Sequence, residues 1–97
     1  MTTIELINIL KVRPGMYLGK NSIFCLKAFI DGWYFRDTEK DVNIEILNEF
    51  HLWLQQYYNM IDEDNRNWDE LLFFVYKDEQ IALVNFFILF DKFLNSD

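Results

Sequence analysis

Apolar side chains recur at intervals of three and four along nearly all of this 97-residue chain, and no stretch reads convincingly as a strand. That spacing lines one face of a helix. The expected fold class is therefore all-α: a compact bundle of four to five helices, one domain over residues 1–97, since this length leaves no room for a second. Hydrophobic residues are 52% of the chain and aromatics 19%, enough to fill a core without metal or disulfide staples.

Residues 3–11 place Ile4, Leu6, Ile7 and Leu10 at helical spacing behind a Thr2 or Thr3 cap. Arg13-Pro14-Gly15 stops this first helix, because proline disfavours helix in the residue before it and glycine opens the turn that follows. A second helix, from an Asn21-Ser22 cap to about Arg36, is apolar nearly all round and is expected at the centre of the core. The third, about 42–60, is amphipathic. Leu47, Phe50, Leu54, Tyr57 and Ile61 form its apolar stripe, and Leu52 falls among Glu45, Asn48, Glu49, Gln55, Gln56 and Asn59. Asn67-Trp68-Asp69-Glu70 has the form of a capping box opening a fourth helix to about Tyr76. Within it, Leu71 to Tyr76, rich in aromatics with one β-branched residue, is the stretch with an alternative reading, a short buried strand. The last helix, about 79–95, carries Phe86, Phe87, Phe90, Phe93 and Leu94 toward the bundle.

Nine Lys and Arg face sixteen Asp and Glu, a net −7, and the imbalance is uneven. Residues 1–36 carry +3, and residues 37–97 carry −10. A segment this acidic repels a phosphate backbone, which argues against nucleic acid and for a basic protein partner. The longest apolar run, Ile81 to Phe90, is about half of the roughly 20 residues a membrane crossing needs, so no membrane association is expected. Without a basic, apolar leader at Met1 to Leu6, the expected location is cytoplasmic.

No catalytic residue or cofactor is expected. Cys25 and His51 are the only thiol and imidazole, on different helices among apolar neighbours, and they cannot assemble a four-ligand zinc site. Asp62-Glu63-Asp64 lacks the spacing of a calcium loop, so no metal site is expected.

The most distinctive segment is Arg13-Pro14-Gly15-Met16-Tyr17-Leu18-Gly19. Similar wording precedes the nucleotide site of type II topoisomerase ATPase domains. This chain lacks their magnesium-binding Glu and Asn, their Asp-Gly-x-Gly loop and about half their length, which argues against ATP binding. Taken with Ser22-Ile23, Leu26, Ala28 to Trp33, Trp68 to Leu72 and Asp78-Glu79, the segment resembles small bacterial immunity proteins of contact-dependent growth inhibition and related polymorphic toxin systems. The resemblance implies a helical bundle that neutralises a cognate toxin domain, often a ribonuclease, in a one-to-one complex, with no catalytic residues of its own. It also implies that Arg13 to Gly19 is a structural turn over packed Met16, Tyr17 and Leu18.

The expected recognition surface is Glu45, Glu49 and Leu52 on the third helix, the Asp62-Glu63-Asp64 loop, and Trp68, Asp69 and Glu70 at the start of the fourth. The competing reading is a self-associating helical adaptor, with the free protein a monomer or weak homodimer.

Overall fold

A computed structural model describes residues 2–36, 45–60 and 66–96. Among them are six helices and no strand: α1 (Thr3–Val12), α2 (Pro14–Leu18), α3 (Ile23–Arg36), α4 (Glu45–Tyr57), α5 (Trp68–Tyr76) and α6 (Glu79–Leu94). The all-α expectation holds, with one short helix more than anticipated. The Cα radius of gyration is 13.0 Å, the size of a close-packed domain of about 100 residues.

The starts are fixed by side-chain caps. Thr2 Oγ1 accepts from the Glu5 N–H at 3.1 Å while Glu5 Oε1 accepts from the Thr2 N–H at 2.8 Å. These bonds hold the Glu5 carboxyl below its ordinary range. Ser22 Oγ accepts from the Phe24 N–H at the start of α3 and donates to Glu79 Oε1 on α6. Asn67 and Glu70 form the expected capping box. Asp78 accepts from the Gln80 and Ile81 N–H groups, both at 2.9 Å, and starts α6. Residues 71–76 are helix. The box drives them into it, Trp68, Leu71 and Leu72 are buried at helical spacing, and Lys77, at φ 62°, closes the end with its N–H on the Phe73 carbonyl.

Arg13 to Gly19 holds a short helix rather than a turn, and of the three side chains expected to pack under it only Leu18 lies against the core. Pro14 sits in the first turn of α2, where its missing N–H costs nothing. Gly19, at φ 76°, ends the helix with its N–H on the Gly15 carbonyl at 2.9 Å. Met16 and Tyr17 are 64% and 43% exposed, because so short a helix lying on the outside shields only part of its circumference.

Helix α6 packs against α3, α4 and α5. Phe50 on α4 is the hub of this core, with ring centroids 5.4 Å from Phe86 and 5.3 Å from Phe90, both edge-on. Where α4 and α5 end, the Tyr58 and Tyr76 hydroxyls hydrogen-bond at 2.7 Å. Burial first, and then this bond, pushes the Tyr58 phenol well above its usual range. The third anticipated helix ends at Tyr57, followed by a left-handed Asn59, and residues 42–44 and Ile61 lie outside the described residues.

Helix α3 is not central. It buries Ile23, Leu26 and Ile30 and leaves Phe24 partly and Phe35 90% exposed. The core is already filled by α6, whose Leu83, Phe86, Phe87 and Phe90 are buried, so α3 covers it from one side only. On α6, Leu94 is 37% exposed rather than packed.

Candidate partner-binding surface

Folding redistributes the charge that the linear sequence displays. The basic first third lies against acidic residues from the last: Lys11 Nζ pairs with Asp91 Oδ2 at 3.0 Å and Lys20 Nζ with Glu79 Oε1 at 3.7 Å. Glu5, Glu70 and Asp78 are engaged at helix starts. What remains is local. Residues 37–65 hold eight carboxylates and one lysine, a net −7 equal to that of the whole chain, and all other residues carry eight acids and eight bases.

Within that segment α4 presents a continuous outer stripe. Glu45, Asn48, Glu49, Leu52 and Gln56 are all exposed, at the spacing of one helical face, while Leu47, Phe50 and Leu54 point inward. Neither Glu45 nor Glu49 has an ion pair or a side-chain hydrogen bond among the described residues, and Leu52 is 59% exposed between them and Gln56. These three expected site residues therefore share one accessible face.

The other expected residues divide. Asp62, Glu63 and Asp64 lie outside the described residues. Glu70 is exposed, but its carboxylate accepts from the Asn67 N–H at 3.2 Å. Trp68 and Asp69 are corrections: they are 5% and 7% exposed and cannot offer a partner their surface. As the first residues of α5 they face inward, Trp68 against Phe86 with ring centroids 4.9 Å apart. Burial pushes the Asp69 carboxyl up, against the pull of the Glu70 N–H and of Lys27. Its Oδ1 has no hydrogen-bond partner among the described residues.

Beside the α4 stripe is a groove of about 260 Å³ that the sequence reading did not anticipate. Lys27, Asp31 and Tyr34 line it from α3, Leu47, Asn48 and His51 from α4, and Asn67 and Trp68 from the start of α5. Lys27 Nζ holds Asp31 Oδ2 at 2.6 Å, and the Tyr34 hydroxyl is fixed by Thr3 Oγ1 at 2.6 Å. The i, i+4 spacing of Lys27 and Asp31 was the one sign of it in the sequence. Its other walls meet only when three helices pack.

A second groove, about 380 Å³ and almost wholly apolar, runs between Pro14-Gly15 and Leu83, Val84, Phe87 and Ile88 of α6. A β-carbon on Gly15 would stand 3.1 Å from Asn21 Oδ1, so a side chain there would crowd this corner. Ile81, Val84 and Ile88 are each about half exposed on the same helix.

Among the described residues no group of His, Cys, Asp or Glu side chains is placed to hold a metal ion, and no helix is long and apolar enough to cross a membrane. No family model, curated protein or solved structure matches this chain.

Proposed function

We propose that this protein is an immunity protein that acts by binding, not catalysis, and neutralises a basic toxin domain, most simply a ribonuclease, by laying the outer face of α4 against its cationic surface. The observation that carries this reading is the unpaired stripe of Glu45 and Glu49 around exposed Leu52, within the segment that holds the chain's entire net charge. An enzyme that cleaves RNA needs a positive cleft, and carboxylates on a rigid helix substitute there for phosphates. Opposite potentials raise association from about 10⁵–10⁶ to about 10⁸–10⁹ M⁻¹s⁻¹ at low salt, and Leu52 supplies apolar contact at the centre of the stripe. The resemblance of Arg13 to Gly19 and the words that follow it to immunity proteins points the same way.

The test is coexpression with the toxin domain encoded beside it. A one-to-one complex and loss of toxicity are expected, and a toxin that stays free and active would overturn the reading. A second reading, a self-associating adaptor, draws on the apolar groove beside α6. Sedimentation showing a monomer at every concentration would remove it.

A further inference from the structure

On this acidic molecule one aromatic side chain gathers two cations. The Arg66 guanidinium stands 4.0 Å and the Lys77 ammonium 4.5 Å from the centre of the Phe74 ring on α5. The ring face attracts each of them, but it carries no net charge to neutralise them. Phe74 itself is 42% exposed, and Lys77 has no ion pair among the described residues. The other described lysines are engaged elsewhere: Lys11, Lys20 and Lys27 with carboxylates, and Lys92 over the Tyr57 ring. Glu70, one turn before Phe74, keeps its carboxylate on the Asn67 N–H.

The outer face of α4 is the inverse of this patch. There two carboxylates, Glu45 and Glu49, stand one helical turn apart, about 6 Å along the axis, beside exposed Leu52. One surface is a pair of acids around an aliphatic side chain, and the other a pair of bases around an aromatic one. Resting on the proposed use of the α4 face, we infer that in the free protein a second copy of this chain covers it, Glu45 and Glu49 of one copy meeting Arg66 and Lys77 of the other while Leu52 lies against Phe74. Helices α4 and α5 are neighbours, held together at their ends by the Tyr58 and Tyr76 hydroxyls, so a two-fold axis between the copies repeats the contact. Each patch is one helix face, smaller than the roughly 800 Å² per partner of a stable complex. The pair is therefore weak, and it gives way when a more strongly basic surface competes for the same carboxylates.

Sedimentation equilibrium of the whole chain from micromolar to millimolar concentration tests this. The average mass should rise from that of one chain toward that of two. Glu45→Lys with Glu49→Lys should weaken association at least tenfold, and so should Lys77→Glu, because each sets like charges face to face. Mixing these two variants should restore association, since the acidic stripe of the second meets the basic patch of the first. That recovery also shows that both are folded. A single-chain mass at every concentration, or no recovery on mixing, would overturn the inference. Association that survives both charge reversals and is lost in Val84→Lys would overturn it too, placing the contact at the apolar groove beside α6. Adding the basic toxin domain should dissolve the pair into one-to-one complexes. A toxin neutralised by a chain that is always monomeric removes the pair and leaves the proposed function standing, and a charge-dependent pair that captures no toxin does the reverse.

Discussion

The outer face of α4 and the flank of α6 are both lined with acidic side chains, yet only one of them is an unspent negative surface. On α6, Asp91 and Glu79 are matched by Lys11 and Lys20 from the opposite end of the chain. On α4, Glu45 and Glu49 meet no such match among the described residues. Exposed ion pairs like those on α6 contribute little stability, about 0–1 kcal/mol each, but they cancel the field a partner would feel. Counting charges along a sequence therefore overstates the acidic surface until the pairs made by folding are removed. Among the described residues, removal leaves Glu45 and Glu49 on the outer face of α4 without an ion pair.

The harshest way to break the comparison is through the side of α4 that faces inward. Phe50→Ala should cost about 3–5 kcal/mol, because its ring is fully buried among Phe86, Phe90 and Phe93. Denaturant unfolding should show one cooperative transition at lower midpoint. A separate early transition would mean that α4 is not part of the same core.

Reversing the two unpaired carboxylates, Glu45→Lys with Glu49→Lys, sharpens the contrast directly. Association with the cognate basic domain should slow about tenfold and lose most of its salt dependence, with stability changed by no more than about 0.5 kcal/mol. Asp91→Lys is the control, and stopped-flow rates should barely move. Equal slowing by both would erase the distinction between the faces.

On the paired side, Asp78→Ala removes the acceptor for two N–H groups at the start of α6 and should cost about 1 kcal/mol without changing partner association. Asp69 contributes a pH signature. Its folded carboxyl titrates above the ordinary aspartate range because burial disfavours the charge, so the ionised form burdens the fold above about pH 4, and the burden lifts as acid protonates it. The stability of Asp69→Asn relative to the parent should therefore rise between pH 3 and pH 7. A difference independent of pH would show that the buried carboxyl is not the cause. The smallest effect belongs to Lys11→Met, expected within about 0.5 kcal/mol in thermal unfolding.

Much of the architecture was legible because it is written in local rules. Thr2 at the first helix and Asn67 with Glu70 at the fifth act within a few residues of themselves, and Leu47, Phe50 and Leu54 of the α4 stripe are buried as anticipated, whereas Tyr57 is 47% exposed and Gln55, expected on the polar side, is buried. Glu45, Glu49 and Leu52 were legible for the same reason. The misreadings concern the other side of each helix. The all-round apolar character of α3 suggested a central position, but centrality depends on which helix claims the core, and α6 claims it. Trp68 is of a type enriched at interfaces and Asp69 belongs to an acidic run, and only their place in the first turn of a buried helix turns them inward. The polar groove was hardest to see, since its walls stand up to 41 positions apart, from Lys27 to Trp68.

The hydroxyl-to-hydroxyl clasp of Tyr58 and Tyr76 bears on how recognition proceeds. It latches the exit of α4 to the exit of α5 and so fixes the pitch of the helix proposed to meet a partner. A template already rigid loses little motional freedom on docking, which favours fast capture over slow mutual adjustment.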